Sequence, residues 1–334
     1  MNFEENPVRD RLVEMFAKAS GPVSGEEMSH TLGLSRTAIW KQIKSLEQVG
    51  FVFAASPRVG YRAVTIPDEL MAPLVDPHLP LAVAFGRPLF WAAERASTNA
   101  TALDWAAKGL PHGAVVTAAV QTGGKGRRER SWVSPQGGMW FSVLIRQPCA
   151  LNQAPDLTLL ASLAVRRALA EIGVPADIKW PNDILVAGKK VCGILAQMRA
   201  DGEWVDHAVI GIGINANFPE ERLPADIRHR ATTIFSACGF AIERPRVLAT
   251  ILTELDKLYR LLASGEGFAS VRGEWLAHCE TMGRSVEVAV GNEIVRGTAI
   301  DVDDQGSLLV KLAHGDVRRL HSGEVLFSES EHLR

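Results

Sequence analysis

Apolar residues at helical spacing open the chain. Val8, Leu12, Met15, Phe16 and Ala19 predict an amphipathic helix that Gly21 and Pro22 end. Ser24 and Glu27 have the spacing of a capping box for a second short helix, with Met28 and Leu32 on one face and Gly33 at its turn. Ser35 caps a third helix, whose apolar face is Ala38, Ile39, Ile43, Leu46 and Val49 and which Gly50 closes. The period then drops to that of short strands over residues 51–54 and 60–64, joined by a turn through Ser56, Pro57 and Arg58. Three helices followed by a hairpin predict a winged helix-turn-helix.

Residues 66–80 carry Pro67, Pro73, Pro77 and Pro80, a density that predicts a semi-rigid linker. Beyond it, strand and helix patterns mix. Strands are predicted at 114–121, 138–145, 184–186, 191–198 and 207–214, and helices at 99–108, 155–172 and 245–262. The last has Pro245 near its start and a stripe of Leu248, Ile251, Leu255, Leu258 and Leu262. This is the pattern of a mixed α+β domain. After Gly283 the texture changes to the alternation of Val286, Val288 and Val290, a Gly291-Asn292 turn, and short strands broken at 303–306 and 314–316. Such spacing suggests a small β-barrel. The expected division is residues 1–66, a linker at 67–80, a central domain at 81–281 and a small domain at 282–330.

Composition narrows this only a little. A chain of 334 residues with 47% apolar and 22% charged positions can bury a large core in two or three domains. The net charge of -2 names no partner, so any nucleic-acid footprint must be local. Cys149, Cys192, Cys238 and Cys279 form no CxxC pair and no zinc spacing, which suggests reduced thiols. The acidic first ten residues lack an apolar signal region, and no apolar run reaches membrane length. A soluble, cytoplasmic protein is expected.

Four segments carry candidate chemistry. The first is QTGGKGRRERSW, residues 121–132, in which Gly123, Gly124 and Gly126 allow close backbone approach and Lys125, Arg127, Arg128 and Arg130 supply four positive charges in six residues. It is neither a Walker A loop nor a Rossmann fingerprint, since no Gly-Lys-Ser/Thr closes it and Glu129 stands where a third glycine belongs. Alone, it reads equally as an anion cradle or a solvated basic loop. The second is KWPNDILVAGKKVCGIL, residues 179–195: Pro181 and Asn182 turn between two strands and fix Lys179, Trp180 and Asp183 near strand ends, ahead of Lys189, Lys190 and Gly193. A carboxylate and a lysine in one hairpin can position a nucleotide and a substrate carboxylate, or form surface ion pairs. Third, Ser97-Thr98-Asn99 opens a helix, as a cap, a ligand contact or both. Fourth, GIGINAN at 211–217 follows an apolar strand, with Asn215 in its turn.

In this order, STN, Q-x-GGKGRR-x-R-x-W, KWPND, KK-x-x-GIL and GIGIN resemble the biotin–protein ligase family, and SRTAIWKQIKSLEQVGF resembles the DNA-binding arm of its bifunctional ligase–repressor members. The resemblance spans nearly the whole chain. It implies a central domain of class II synthetase-like fold and an SH3-like C-terminal barrel. It also implies ATP and biotin as substrates with Mg²⁺, and a biotin carboxyl carrier domain of acetyl-CoA carboxylase, or a relative, as acceptor. By the match, Ser97, Thr98, Asn99 and Gln121 contact biotin, with Lys125, Gly126, Arg127 and Gly193, while residues 137–142 line its apolar side. Arg127, Arg128 and Arg130 face carboxylate and phosphates, Trp132 covers the nucleotide side, and Lys190 holds the reacting carboxyl oxygen. Lys179, Asn182 and Asp183 lie near the phosphates and magnesium, and Asn215 near the adenylate. The catalytic set implied is Lys190, Arg127 and Asp183, the last as base for the acceptor amine and as the Mg²⁺ ligand. Lys125 and Glu129 depart from the arginine and glycine of one bifunctional member of the family. The glutamate puts a negative charge beside a loop meant for an anion, either pointing outward or paired with Arg128 or Arg130.

Between residues 35 and 62, Arg36, Lys41, Lys44, Arg58 and Arg62 face one acid, Glu47. Arg36, Thr37, Lys41 and Lys44 lie off the apolar face of the third helix, where a recognition helix meets the major groove, and Arg58 in the wing can reach a phosphate. Operator DNA is the expected partner, with protein contact as the alternative, and the resemblance implies an adenylate-bound homodimer that represses. A lipoate–protein ligase and a ligand sensor with an inactive ligase domain are the rivals. The arginine loop and KWPND favour biotin over lipoate, and the presence of Lys190, Asp183 and Arg127 favours an active enzyme.

Overall fold

The computed structural model describes residue 3 and residues 6–57, 59–146, 150–291 and 293–327, with the side chains of Asn152 and Asp201 excepted. Arg58, Cys149 and Asn292, each used in the sequence reading, lie outside the described residues.

At the N-terminus, three helices pack their apolar faces together. In α1 (Pro7–Lys18), Asn6 accepts from the Arg9 N–H at 3.0 Å; in α2 (Gly25–Leu32), the Ser24 hydroxyl accepts from Glu27 at 3.0 Å; in α3 (Arg36–Glu47), Ser35 accepts from Ala38 at 3.2 Å. Each cap satisfies an N–H that the helix itself leaves unpaired. Gly33 ends α2 at φ 65°, the left-handed geometry glycine takes without strain. The antiparallel hairpin β1 (Val52–Ser56) and β2 (Gly60–Thr65) completes the arm.

The stretch expected to be a linker is not free chain. Leu70, Met71, Val75 and Leu79 are buried, around the short helix α4 (Ala72–Val75) and a 3-10 turn at Asp76–His78. Its polar groups are tied down too. Thr117 donates to the Leu70 carbonyl at 2.9 Å, and Arg244 holds Asp68 with 2.6 and 2.8 Å bonds. Apolar residues between the prolines override the flexibility that proline density suggested, because burying them offsets the ordering cost.

The centre is a seven-stranded sheet covered by helices. Along the chain it runs β3 (Leu89–Arg95), α5 (Thr98–Ala107), β4 (Val115–Gln121), β5 (Met139–Ile145), α6 (Ala154–Glu171), β6 (Ala176–Lys179), β7 (Asp183–Val186), β8 (Lys189–Asp201), β9 (Trp204–Ile214), α7 (Ile234–Cys238), α8 (Arg244–Ala263) and α9 (Arg272–Ala277). The strand order is β3-β4-β5-β9-β8-β7-β6, with β3 and β4 parallel and every other pair antiparallel. Strands β3 and β6 were not among the predicted elements. Short apolar runs such as Leu89-Phe90-Trp91 carry no period that separates strand from helix. The apolar stripe of α8 packs on α6, which lies across the sheet. No described helix is long and apolar enough to cross a membrane.

The tail forms a five-stranded antiparallel sheet, β10 (Ser285–Val290), β11 (Glu293–Val302), β12 (Leu308–Lys311), β13 (Val317–Leu320) and β14 (Glu324–Phe327), in the order β13-β12-β11-β10-β14. Trp180, 2% exposed, joins it to the centre by donating to the Gly306 carbonyl at 3.0 Å.

Candidate active site

One cleft of about 1300 Å³ gathers the named ligase side chains from Ser97 to Asn215, but of the stretch 137–142 only Phe141 lines it. Its floor is glycine. Gly193 on β8 pairs with Gly213 on β9, and a Cβ at either would lie 2.9 or 2.6 Å from the indole of Trp132, which rests on them. Side chains there would fill the space the ring occupies.

The polar end is a chain of hydrogen bonds around the N-terminus of α5. Ser97 caps the helix. The Gln121 carbonyl oxygen accepts from the Thr98 N–H at 2.8 Å and its hydroxyl at 3.1 Å, and the Gln121 amide donates to Ser134 at 2.9 Å. Ser142, fully buried on β5, lies 2.8 Å from the Thr98 hydroxyl and 2.9 Å from the Asn99 carbonyl oxygen. Asn99 donates to Gln197 at 2.8 Å. Satisfied on all sides, this end presents fixed donors and acceptors rather than adaptable ones.

The charged end is built by a register shift. In the β7–β8 pair, Ile184 faces Cys192 but Leu185 faces Lys190, so Val191 is an extra residue on β8. An uninterrupted ladder would turn Lys190 to the opposite face from Asp183. The bulge turns it to the same face, where its ammonium meets the Asp183 carboxylate at 2.6 Å and stands 5.1 Å from the Trp132 ring. Asn182, 9% exposed, binds the Ile194 carbonyl at 2.9 Å and accepts from Arg127 at 3.0 Å. Burial lowers the Arg127 and Lys179 pKa values. Asn215, 3% exposed, donates to the Thr232 carbonyl at 3.0 Å, while its own oxygen is buried and accepts from no group among the described residues.

The arginine loop is pinned at both ends. Trp132 N–H donates to the Gly124 carbonyl at 2.9 Å, and Gly126 N–H to the Arg130 carbonyl at 2.7 Å. Arg128 and Glu129 have φ of 55° and 59°, the left-handed region that favours glycine. Glu129 does not pair with Arg128 or Arg130. It is exposed and binds Lys125 at 2.5 Å, because the left-handed backbone turns it away from the cleft. The arginines instead reach the C-terminal sheet, through Glu324, Gly323 and Ala289.

Two walls escaped the sequence reading. One is Leu223, Ile227 and His229 to Ala231; the other is Glu280, Arg284 and residues 323–327, where the Phe327 ring lies 4.7 Å from the Lys179 ammonium and 4.4 Å from the Arg284 guanidinium. Neither bears a local signal, since their contacts join segments far apart in sequence, such as Lys190 with Ala231 and Lys179 with Phe327. Far from the cleft, Arg36, Thr37, Lys41 and Lys44 share the exposed side of α3 with Trp40, which is 50% exposed; Lys44 also pairs with Glu47 at 2.6 Å.

Comparison with known proteins agrees with this geometry. Residues 8–62 match an HTH domain model, 92–215 the Biotin/lipoate A/B protein ligase family and 281–328 the Biotin protein ligase C terminal domain. The chain is 36% identical to the bifunctional ligase/repressor BirA of Bacillus spizizenii, over 95% of this chain and 98% of that one. It is 27% identical to the protein of that name from Escherichia coli, over 98% and 99%. The structure of the biotin protein ligase from Aquifex aeolicus in complex with biotin and ATP matches with a TM-score of 0.62 and 30% identity, covering 72% of this chain and 98% of that chain.

Proposed function

This chain belongs to the family of bifunctional biotin–protein ligases and repressors, and from that premise we propose that the cleft joins biotin to ATP as biotinyl-5′-AMP and passes the biotinyl group to a lysine of a biotin carboxyl carrier domain. The observation that carries this reading is that Lys190 and Arg127 line one cleft with the Gly193–Gly213 floor and the fixed Thr98–Gln121 polar end. The polar end suits a ureido ring, the glycine floor and Trp132 suit an apolar bicycle and chain, and the cations suit the acid terminus.

In the first step the biotin carboxylate attacks the α-phosphate and pyrophosphate leaves. Two anions must approach each other, so positive charge fixed in advance is the main requirement. Lys190 is fixed by Asp183, and Arg127 by Asn182 and the Gly323 carbonyl at 3.1 Å. The unsatisfied oxygen of Asn215 is an acceptor for an exocyclic amine such as that of adenine. In the second step the acceptor amine attacks the acyl carbon and AMP leaves. Asp183 takes the amine proton. No group of three or more metal-ligating side chains occurs among the described residues. A single carboxylate, Asp183, would hold the Mg²⁺, which would supply neutralisation of phosphate charge.

The exposed basic face of α3 supports operator binding, and the homodimer, the SH3-like form of the C-terminal sheet and the class II synthetase-like form of the centre belong to the same proposal. So does a cytosolic setting, in keeping with free Cys192, Cys238 and Cys279. Labelled biotin should pass to a carrier domain only with ATP, and pyrophosphate release should respond to biotin over lipoate and octanoate. Release driven equally by lipoate would sink the biotin assignment. For the arm, Lys41→Ala should cut the salt slope of operator binding by about one. An absence of enriched sequence from random DNA, with biotin and ATP present, would remove the repressor role.

A further inference from the structure

Four contacts tie the arginine loop to the C-terminal sheet. Arg127 donates to the Gly323 carbonyl at 3.1 Å and Arg128 to the Ala289 carbonyl at 2.8 Å. Arg130 grips both oxygens of Glu324, one at 2.6 Å, and Arg128 lies 3.8 Å from the same carboxylate. Ala289 and Glu324 are cross-strand partners in the β10–β14 pair, so one point of the sheet receives the loop. Burial works against the charge of Glu324, but Arg130's hydrogen bonds and the charges of Arg130, Arg128 and Lys179 hold its carboxyl below the usual range. An isolated exposed ion pair would count for little. Here the pairing is bidentate, shared by two arginines and backed by two carbonyls, and it restrains a loop whose centre holds two non-glycine residues at positive φ.

We propose that Glu324 is a positioning residue for adenylate formation: through it the C-terminal sheet sets the arginine loop in its anion-binding form. The proposal rests on the ligase reading for its ligand, but not for its geometry. Glu324 touches no reacting atom. It gathers the guanidinium groups, keeps them from folding out into solvent, and spares the loop the entropy of ordering when the nucleotide arrives. The small domain is thereby part of the active site, 194 residues from its partner in sequence.

The test uses the full chain with Glu324→Gln, which keeps the shape and removes the charge. Biotinyl-5′-AMP should leave about tenfold faster and KM for ATP should rise similarly, while KM for the carrier domain stays unchanged. Subtilisin should cut the ligand-free loop faster by a like factor, at an unaltered melting temperature. A purely structural role would lower the melting temperature without splitting KM for ATP from KM for the carrier. Charge reversal gives the second arm. Glu324→Arg alone should spring the loop, and adding Arg130→Glu should restore its protection from subtilisin. Wild-type release and cleavage rates in Glu324→Gln, or a double variant no better protected than Glu324→Arg, would overturn the proposal. A wild-type chain that forms no adenylate would instead sink the ligase reading, and the ligand-free protection assay would still decide the role of Glu324.

Discussion

Two segments of this cleft carry most of its positive charge, and they are held by different means. The hairpin from Lys179 to Gly193 is part of the central sheet. Its lysines and its aspartate are aimed by strand register, a bulge at Val191 and the buried Asn182. The arginine loop is a surface excursion between β4 and β5, aimed by short backbone bonds and by a carboxylate from another sheet. Register is costly to change, because a slip turns every side chain over. The loop's tether, though bidentate and shared, costs less to open than a register does. The hairpin therefore suits groups that must stand still at the reacting atoms, and the loop suits groups that must let substrate in and then close.

The sharpest break in this comparison is Lys190→Ala. Losing the cation the bulge presents should cut biotin-dependent pyrophosphate exchange by about a thousandfold, the scale of a fixed transition-state donor; near-normal exchange would remove Lys190 from the mechanism. Asp183→Asn, also on the hairpin, should slow both steps but transfer the more, since the first loses only the partner that fixes Lys190. Carrier biotinylation from preformed adenylate should slow about a hundredfold, the lower range of general-base effects, and single-turnover transfer measures it. Equal loss in both steps would make Asp183 only the partner of Lys190. Gly211→Ala probes the polar end, where a methyl would lie 2.3 Å from the Asn99 oxygen. It should raise the biotin dissociation constant about tenfold to a hundredfold, as overpacking a fixed network does, and calorimetry with biotin alone would show it. The smallest effect belongs to the loop. Glu129→Gly relieves a left-handed backbone and removes an exposed bond to Lys125, two opposed minor terms. Adenylate release should stay within about threefold of wild type; a larger slowing would mean that the glutamate does face the anion.

Much of this was legible in the residues. Caps at Ser24, Ser35 and Ser97, the stripe of α8 and the glycine turns are local, and local rules found them. The candidate side chains from Ser97 to Asn215 were named from motifs, and the fold brings them to one cleft, except that of residues 137–142 only Phe141 lines it. The stretch 67–80 misled, because composition marked it as linker while Leu70, Met71 and Val75 were destined for a core that lies elsewhere in the chain. Strand β3 was missed for the related reason that a short apolar run is ambiguous until its neighbours are known.

By itself, then, the sequence determined the chemistry on offer: which charges, which glycines, and in what order. The tertiary structure decided their aim. Nothing in Lys-Lys-Val-Cys-Gly announces that Val191 will bulge and turn Lys190 toward Asp183, since a bulge is a property of two paired strands. Nothing near Glu324 marks it as the anchor of a loop 194 residues away. Glu129, which the sequence set against the anion, is turned outward by a backbone angle that no composition contains. Side-chain type is inherited from the chain, but direction and partner are fixed only when distant segments exclude water from between them.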